Sequence, residues 1–484
     1  MSETIFELSS PGRRGCTLPN REIDTPLSSI FPSEMMREKD ARLPEVSELD
    51  VMRHYIALSH KNHFIEKGLY PLGSCTMKYN PKVHETLVRH SCFNNLHPYQ
   101  PEITLQGSLE LLYELQDDLA EISGMAGVTL QPVAGAQGEF AGLKIIAAYH
   151  KAKGNHHKTK IIIPDSAHGT NPATCSLVGF DVVELKSNAE GRCDIDRLRE
   201  IVDENTAGFM LTNPNTLGLF EAQIEEISKL IHGVDGLIYM DGANLNALMG
   251  IVKPGKIGFD VLHFNLHKTF ATPHGGGGPG CGPVGVVEKL LPYLPVPMIA
   301  KNENGYFFDY GHQATSIGKV HTFYGNFAVM LRAFFYIKML GAEGLRKVSE
   351  NAVINANYLM KLIEADYHVT YNEYCMHEFV ADSSWQKKEY GVNTLDIAKR
   401  LLDKGFHAPT IYFPLIVPEA MMIEPTETES KQSIDAFAAA MIEIAQEIRE
   451  NPELLHEAPL TTPVRRVDDV RAVKVLDPIF KIET

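Results

Sequence analysis

The sequence predicts an α/β fold in which helices cover both faces of a mainly parallel sheet. Short apolar runs recur through the middle of the chain, and segments with helical periodicity alternate with them. Strands that alternate with helices form parallel sheets buried on both faces. At 484 residues, with 44% apolar and 22% charged residues, the chain has ordinary globular composition and is too long for one small core. We therefore expect more than one domain.

Six apolar runs are the predicted strands of this sheet. Each is short, and each ends in a polar or glycine-containing turn. They are KIIIPDSAH (160–168), FDVVEL (180–185), GFMLTNPN (208–215), GLIYMDGAN (236–244), DVLHFNLHK (260–268) and GPVGVVEK (282–289).

Five segments have apolar residues at helical spacing and are the predicted helices. Asp194 is a candidate N-cap for one of them, and Gly233 closes another. The segments are 108–123, 194–205, 221–233, 327–345 and 433–450.

The period of the sequence changes along the chain and divides it into three parts. Residues 1–95 lack a clear period and contain proline-rich turns, so they are predicted to form an N-terminal arm. Residues 96–334 carry the predicted sheet and form the large domain. Residues 335–484 follow the start of a long helix and form a smaller C-terminal α/β domain.

Charge and cysteine usage exclude several classes of protein. A net charge of −16 argues against nucleic acid or an anionic membrane as the main partner. No apolar run approaches the length of a membrane span. The seven cysteines are scattered without CxxC spacing, and the first residues lack the apolar core of a signal peptide. We expect a cytoplasmic protein without disulfides or a structural metal.

Polar side chains stand at the ends of four predicted strands. They belong to His168, Asn213, Asp241 and Lys268. In parallel α/β sheets, ligands bind just beyond the carboxyl ends of the strands. We therefore expect these residues to converge on one site.

A nucleotide-binding hypothesis for this site has little support. The stretch GIVKPGKI (250–257) fits the GxxxxGK part of a P-loop, but Ile257 stands where magnesium needs Ser or Thr. Pro254 also removes one of the backbone N–H groups on which such a loop depends. The glycines at 275–280 lack the strand-to-helix setting of a dinucleotide fingerprint.

A metal site would use His263, His267 and His274. An HxxxH spacing brings two rings together on a helix, but His263 lies in a predicted strand. No carboxylate is placed nearby in the sequence to complete a ligand set. A histidine packed in the core is the preferred interpretation of His263, and no metal is expected.

A third hypothesis is a pyridoxal phosphate (PLP) site with Lys268 as the lysine that binds the cofactor aldehyde. This cofactor needs such a lysine, and an acid that keeps its ring nitrogen protonated. Asp241, on an earlier strand, is the candidate acid, and His168 can stack on the ring. The simpler alternative is that a strand-end aspartate caps a loop and that the histidine is an ordinary loop residue.

Further groups in the sequence suit the remaining parts of this cofactor. AGAQGEF (134–140) precedes a helical stretch, and backbone N–H groups at a helix N-terminus bind phosphate. The glycines after Lys268 would let the cofactor approach the backbone closely, or they form only a turn. The candidate groups are the N–H groups of Gly135, Ala136 and Gln137 for phosphate, Asn213 for the ring oxygen, and His267 for phosphate or a substrate carboxylate.

Six motifs together resemble the PLP-bearing half of the P-protein family of the glycine cleavage system. The resemblance covers roughly residues 5 to 480 and implies fold-type I, the aspartate aminotransferase-like fold. It also implies PLP on Lys268, with Ala243 among the cofactor-binding residues. The motifs are NLHKTF, PHGGGGPG, MDGANLNA, SAHGTNPA, PLGSCTMKYNP and SIGKVHTFYGN.

The resemblance also implies an activity and partners. In length, the chain is similar to the β-type subunits of the two-subunit bacterial form. That form implies an α-type partner subunit, a heterotetramer of two dimers, and a lipoylated H-protein. The implied reaction is oxidative decarboxylation of glycine, with the aminomethyl group passing to the lipoyl arm. A simple PLP-dependent amino-acid decarboxylase is the alternative; a non-catalytic subunit would be expected to lack Lys268.

Overall fold

The computed structural model describes residues 3–17, 19, 25–39, 41–274 and 280–477, in two compact units. The first contains the described residues up to 67 and those from 461 onward, with helices α1 (Glu48–Ser59) and α15 (Asp469–Lys474). The second spans residues 68–460 and contains both large sheets. All features discussed below lie in this second unit.

The strands of the second unit form a seven-stranded sheet, a four-stranded sheet and a two-stranded ribbon. The bounds of the strands are β1 Gly127–Thr129, β2 Lys160–Pro164, β3 Asp181–Leu185, β4 Thr206–Thr212, β5 Leu237–Gly242, β6 Val261–Phe264, β7 Val284–Val286, β8 Met298–Asn302, β9 Gly305–Asp309, β10 His368–Val369, β11 Phe379–Asp382, β12 Thr410–Ile411 and β13 Ala420–Ile423.

Helices of this unit flank the sheets. Their bounds are α2 Lys82–Val88, α3 Ser91–Asn94, α4 Gln106–Ser123, α5 Gly135–Ala152, α6 Thr170–Val178, α7 Ile195–Ile201, α8 Ile224–Gly233, α9 Leu266–Thr269, α10 Phe327–Ile363, α11 Ser384–Tyr390, α12 Thr394–Asp403, α13 Lys431–Glu450 and α14 Glu453–Glu457.

The large sheet confirms the predicted α/β fold. Its strand order is β1-β7-β6-β5-β4-β2-β3. Strands β6, β5, β4, β2 and β3 are mutually parallel, whereas β7 runs antiparallel to both β6 and β1. All six predicted strands are present. The strand β1 is an addition that the sequence did not reveal, because three residues carry no readable period.

Alternate residues of the central strands enter two different hydrophobic clusters, as expected for a sheet covered on both faces. Tyr239 packs in one cluster, and its neighbours Ile238 and Met240 pack in the other. The same alternation separates Met210 from Phe209 and Leu211. Helix α5 contacts β4, β5 and β6, which places its N-terminus near the carboxyl ends of those strands.

The smaller sheet has the antiparallel order β10-β11-β13-β12 and shares a core with α12 and α13. Two features differ from the simple three-part division of the sequence. Helix α10 runs through residue 335 and is interrupted at Gly341, where φ is 61°. Leu72, in the predicted arm, forms a β-bridge with Ile423 of the small sheet. The boundaries at 95 and 335 stay predictions.

Three other expectations from the sequence can be compared directly with the structure. All seven cysteines are free thiols in the structure. Among the described helices, none is long and apolar enough to cross a membrane. Asp194 caps α7 by accepting a hydrogen bond from the Arg197 N–H, as predicted, although that helix ends at Ile201.

Replacing Gly218 by Ala is expected to destabilise the second unit. Gly218 has φ +79°, and a Cβ there would overlap the carbonyl oxygen of Glu378, just before β11. Strain and overlap together should cost about 2–4 kcal/mol of unfolding free energy. Thermal unfolding would measure it. Gly233→Ala is the matched control, since a Cβ at Gly233 meets nothing within 4 Å; an equal loss in both variants would contradict the prediction.

Candidate active site

A polar cavity of about 190 Å³ opens at the carboxyl ends of β4, β5 and β6. It brings together predicted residues that are far apart in sequence. Its lining residues are Ser74, Gly135, Ala136, Glu139, His168, Thr170, Thr212, Thr216, Asp241, Ala243, Asn244, His263, Asn265, His267 and Lys268.

Lys268 lies on α9, a single helical turn that begins directly after β6. Its backbone N–H donates to the Asn265 carbonyl at 3.0 Å, which fixes the turn. Among the described residues, none forms a hydrogen bond or an ion pair with the Lys268 ammonium group. The amine is therefore available to a ligand in the cavity.

Asp241 lies near the end of β5 and is buried. Its Oδ1 accepts from the Ala243 N–H at 2.9 Å, and its Oδ2 accepts from Asn171 Nδ2 at 3.1 Å. Burial alone would raise the pKa of this carboxyl group, but His263, Lys268 and the two hydrogen bonds outweigh burial and lower the pKa. Asp241 is thus an ionised, fixed carboxylate, as required of a partner for a protonated ring nitrogen.

His263 is held between Asp241 and Tyr239. Its Nε2 lies 3.3 Å from Asp241 Oδ1, and its Nδ1 lies 2.7 Å from the Tyr239 hydroxyl. Burial raises the pKa of Tyr239 far above its ordinary value, so this hydroxyl keeps its proton and donates it to Nδ1. His263 is therefore a buried histidine held between a hydroxyl group and a carboxylate, in agreement with the preferred interpretation of the sequence.

His267 and His274 form a pair of half-buried rings whose centroids are 5.3 Å apart. Burial, and then the charges of His274 and Lys268, lowers the pKa of His267 to about 3. Burial and Lys268 lower the pKa of His274 to about 4. Both rings are neutral at physiological pH. His267, which lines the cavity, can therefore offer a hydrogen bond to a ligand but no positive charge.

The N-terminus of α5 forms one wall of the cavity. The helix begins at Gly135 after Ala134, which provides no side-chain cap. Among the described residues, none accepts a hydrogen bond from the N–H groups of Gly135, Ala136 or Gln137. A Cβ on Gly135 would overlap Asn265 Oδ1, so glycine lets the helix approach β6 closely. Free N–H groups at the end of an 18-residue helix form an anion site.

Three other predicted residues occupy different environments. His168 lines the cavity, and its Nδ1 lies 2.8 Å from Thr170 Oγ1, which orients the ring. Gln137 is not among the lining residues, and its side chain accepts from the Val133 N–H at 2.7 Å. Asn213 is not among the lining residues, and its Oδ1 accepts from the Glu221 N–H at 3.0 Å. The glycines 275–278 lie outside the described residues.

Several lining groups require a polar ligand. Thr212 Oγ1, Asn244 Oδ1 and Asn265 Oδ1 are buried and have no hydrogen-bond partner within the part of the chain that the structure describes. Buried polar atoms are normally paired, and an unpaired set around one cavity indicates a ligand that supplies the partners. An aldehyde-bearing, phosphorylated pyridine fits the arrangement: Lys268 suits the aldehyde, Asp241 the ring nitrogen, and the α5 terminus the phosphate.

Sequence reasoning missed several of these groups. Thr212, Asn244 and Asn265 each follow or end a central strand, so the rule that identified Asp241 could have identified them. Glu139 and Thr170 hydrogen-bond each other at 2.7 Å across α5 and α6, and no sequence signal reveals that pairing.

A second cluster of titratable groups lies beside the cavity. Glu378, Glu424 and His377 are buried, and their polar atoms lie within 4.8 Å of one another. Burial, and then the charge of Glu424, raises the pKa of Glu378 well above its ordinary value. Burial also raises the pKa of Glu424, from 4.5 to about 7, against hydrogen bonds from Thr76 and the charge of Lys268.

These raised pKa values predict a dependence of stability on pH. The folded state keeps protons that the unfolded chain releases above pH 4.5, so the stabilisation is present at low pH and is lost as pH rises through about 7. The double variant E378Q/E424Q removes the effect. Relative to this variant, wild-type protein should lose at least about 2.5 kcal/mol of unfolding free energy between pH 5 and pH 8, the part that the Glu424 shift alone supplies. Parallel changes in thermal unfolding of both proteins across this range would contradict the prediction.

Comparison with known proteins identifies the family. Residues 17–305 match the family model described as "Glycine cleavage system P-protein", and residues 348–458 match "Glycine dehydrogenase, C-terminal domain". A protein of Caldanaerobacter subterraneus subsp. tengcongensis, named "Probable glycine dehydrogenase (decarboxylating) subunit 2", is 57% identical over 478 residues, 99% of this chain and 98% of that protein. A protein of the same name from Halalkalibacterium halodurans is 56% identical over 480 residues, with 99% and 98% covered.

Solved structures support the same assignment at the level of the fold. A crystal structure of glycine decarboxylase (P-protein) in inhibitor-bound form superposes with a TM-score of 0.71 at 21% identity, covering 86% of this chain and 94% of that one. Glutamate decarboxylase of Lactobacillus brevis gives 0.63 at 14% identity, covering 87% and 98%. These likenesses confirm fold-type I, and by its sequence the chain belongs to the P-protein family of the glycine cleavage system.

Proposed function

We propose that this chain is the PLP-bearing subunit of a two-subunit glycine dehydrogenase. The reaction would release the carboxyl group of glycine as carbon dioxide and transfer the aminomethyl group to the lipoyl arm of an H-protein, whose disulfide is reduced. The observation that carries the proposal is the single cavity that joins Lys268, Asp241 and the α5 N-terminus in a chain of this family.

The residues of the cavity have distinct roles in this proposal. Lys268 would hold the cofactor covalently through Nζ and then move protons at that atom once glycine is bound. When bound, the cofactor supplies an electron sink for the bond that loses carbon dioxide. The ionised Asp241 keeps the proton on the ring nitrogen, and its bonds to Asn171 and Ala243 hold it in place. The N–H groups of Gly135, Ala136 and Gln137 would anchor the phosphate.

Two histidines that line the cavity fit this division of roles. His168 can cover the ring face, with its orientation set by Thr170. His267 can donate to the phosphate or the substrate carboxylate without adding a charge that would compete with Lys268. Thr212 Oγ1, which lines the cavity, is better placed than Asn213 to bond the ring oxygen.

The proposal also names the proteins with which this chain assembles. The relatives named subunit 2 suggest an α-type subunit 1 as the partner, and we propose a heterotetramer of two dimers with a lipoylated H-protein as the third component. The cytoplasmic location expected from the sequence is part of the same proposal.

Exchange of labelled bicarbonate into the carboxyl group of glycine tests this function. The assay uses the PLP-loaded chain, with and without lipoylated H-protein and with and without the α-type chain. Exchange that requires both components would support the proposal. Release of methylamine without H-protein would instead establish the simple decarboxylase, and bound PLP without any exchange would refute glycine as the substrate.

A further inference from the structure

Two buried carboxyl groups lie close together because of the pairing of the small sheet. Phe379 of β11 pairs with Ile423 of β13 in antiparallel register. Glu378 immediately precedes the first of these residues and Glu424 immediately follows the second, so the pair continues the same register. Their side chains are 0% and 1% exposed, and their carboxyl oxygens lie within 4.8 Å of each other.

Both carboxyl groups hold the loop of residues 73–76. Glu378 Oε2 accepts from the Ser74 N–H at 2.7 Å. Glu424 accepts twice from Thr76, from its N–H at 2.8 Å and from its hydroxyl at 2.6 Å. Ser74 and Thr76 have φ values of 64° and 51°, a left-handed conformation that is costly for residues other than glycine. Such strain persists only when surrounding contacts enforce it, and these hydrogen bonds are among the contacts that do so.

This loop links the carboxyl pair to the cavity of Lys268. Ser74 lines the cavity, and so does Asn244, whose Nδ2 lies 3.5 Å from Glu378 Oε1. Glu378 therefore contacts two lining residues without lining the cavity itself. The positive charge of Lys268 acts on both carboxyl groups.

The charges of the neighbouring groups allow only one of the two carboxyl groups to be ionised. His377 lies 3.8 Å from Glu378 and 3.9 Å from Glu424 and is neutral, because burial lowers its pKa to about 3. Cys75 is neutral too, because burial raises its pKa to about 11.

The next cation, Lys78, is already paired with Glu427 at 2.8 Å. Lys268, which has no ion-pair partner among the described residues, thus acts on two buried acids, and like charges this close do not both ionise.

We propose that Glu378 and Glu424 are positioning residues that share one proton, fix the 73–76 loop at the cavity, and give Lys268 a second counter-charge besides Asp241. The counter-charge role rests on the proposed function in one respect, namely that PLP binds Lys268. The loop anchorage does not depend on the cofactor at all.

The shared proton is tested by the absorbance of bound PLP as a function of pH. The proteins are wild type, E378Q, E424Q and E378Q/E424Q, all PLP-loaded; glutamine has the same shape and preserves acceptors for the loop. Each single variant leaves one carboxyl group, which carries the single charge, so its spectral midpoint should match wild type. The double variant removes the charge and should lower the midpoint by about one pH unit.

Other patterns in this titration would overturn the proposal. Equal shifts in the two single variants that add in the double variant would mean that wild type carries two charges. An unshifted double variant would mean that the pair does not act on Lys268. Stoichiometric zinc or manganese in the purified wild-type protein would mean that a cation, not a proton, joins the carboxyl groups. D382N is the control: Asp382 is buried on β11 but bonds His368 and Thr370, away from the loop.

Loop anchorage is tested without cofactor by alkylation of Cys75. In a background with C16S and C92S, which removes the two exposed thiols, Cys75 should react slowly because it is half-buried and its thiol pKa is raised to about 11. The variant E378A/E424A should release the loop and speed alkylation of Cys75 at least about tenfold. The loop can then open without breaking hydrogen bonds to Glu378 and Glu424. An unchanged rate would refute the anchoring role, whatever the outcome with PLP. Failure of PLP to bind, with faster alkylation, would count against the proposed function alone.

Discussion

Lys268→Ala should abolish covalent attachment of PLP and lower glycine–bicarbonate exchange at least ~10³-fold, because both the covalent step and proton transfer at Nζ are lost. The cavity retains Asp241 and the α5 N-terminus, so the variant should still bind PLP reversibly. Borohydride reduction followed by peptide mapping measures the attachment directly. In wild type the label should appear on the peptide that contains Lys268 and on no other.

A matched control separates this role from a general effect of removing a lysine. Lys256 is exposed and is the lysine of the GxxxxGK stretch that the nucleotide-binding hypothesis would require. Lys256→Ala should retain labelling and exchange at the wild-type level. Label on any residue other than Lys268, or normal exchange in Lys268→Ala, would show that the assigned lysine is wrong.

The fold could be predicted because it depends on local patterns. Each central strand is an apolar run bounded by turns, and the alternation of strands and helices determines a parallel sheet. The sheet edge formed by β7 and β1 was not predictable in direction, since three-residue strands such as Val284–Val286 carry no directional signal. The interruption of α10 at Gly341 likewise depends on tertiary packing, which a continuous helical period conceals.

Site residues at the carboxyl ends of strands could be predicted from the sequence, whereas most of the others were missed. Asp241 and Lys268 both line the cavity as the strand-end rule requires. Asn213 illustrates the limit of this rule, because successive side chains of a strand point to opposite faces. Thr212 is the last residue of β4 and lines the cavity, whereas Asn213, one residue later, bonds Glu221 instead.

Contacts between distant segments had no sequence signal at all. Ser74 and Glu378 are 304 positions apart, and Thr76 and Glu424 are 348 apart, yet each pair is joined by a hydrogen bond. The motif that contains Ser74 was recognised only through its resemblance to a family. Nothing in the sequence singles out two glutamates that flank strands of a separate sheet as its partners.

Asp241→Asn should retain the shape of the cavity and remove its fixed negative charge. The asparagine oxygen can still accept from the Ala243 N–H, but the amide cannot hold a proton on the ring nitrogen. Losing one preorganised electrostatic partner in a buried site costs roughly 10²- to 10³-fold in rate. We expect at least that loss of exchange, together with weaker PLP retention on dialysis, because ring protonation is part of cofactor binding as well as of catalysis.

Asp260→Asn provides the matched control for this substitution. Asp260 is also a buried aspartate that accepts from a backbone N–H, that of Ile238 at 2.9 Å, and lies 2.6 Å from a histidine nitrogen of His232. It precedes β6, at the end of the sheet away from the cavity. Its replacement should lower thermal stability without altering PLP retention or the ratio of exchange to bound cofactor. If both variants lose exchange only in proportion to folded protein, Asp241 supports the fold and its role at the ring nitrogen is refuted. Removing a charge that catalysis needs must instead lower the exchange rate per bound cofactor.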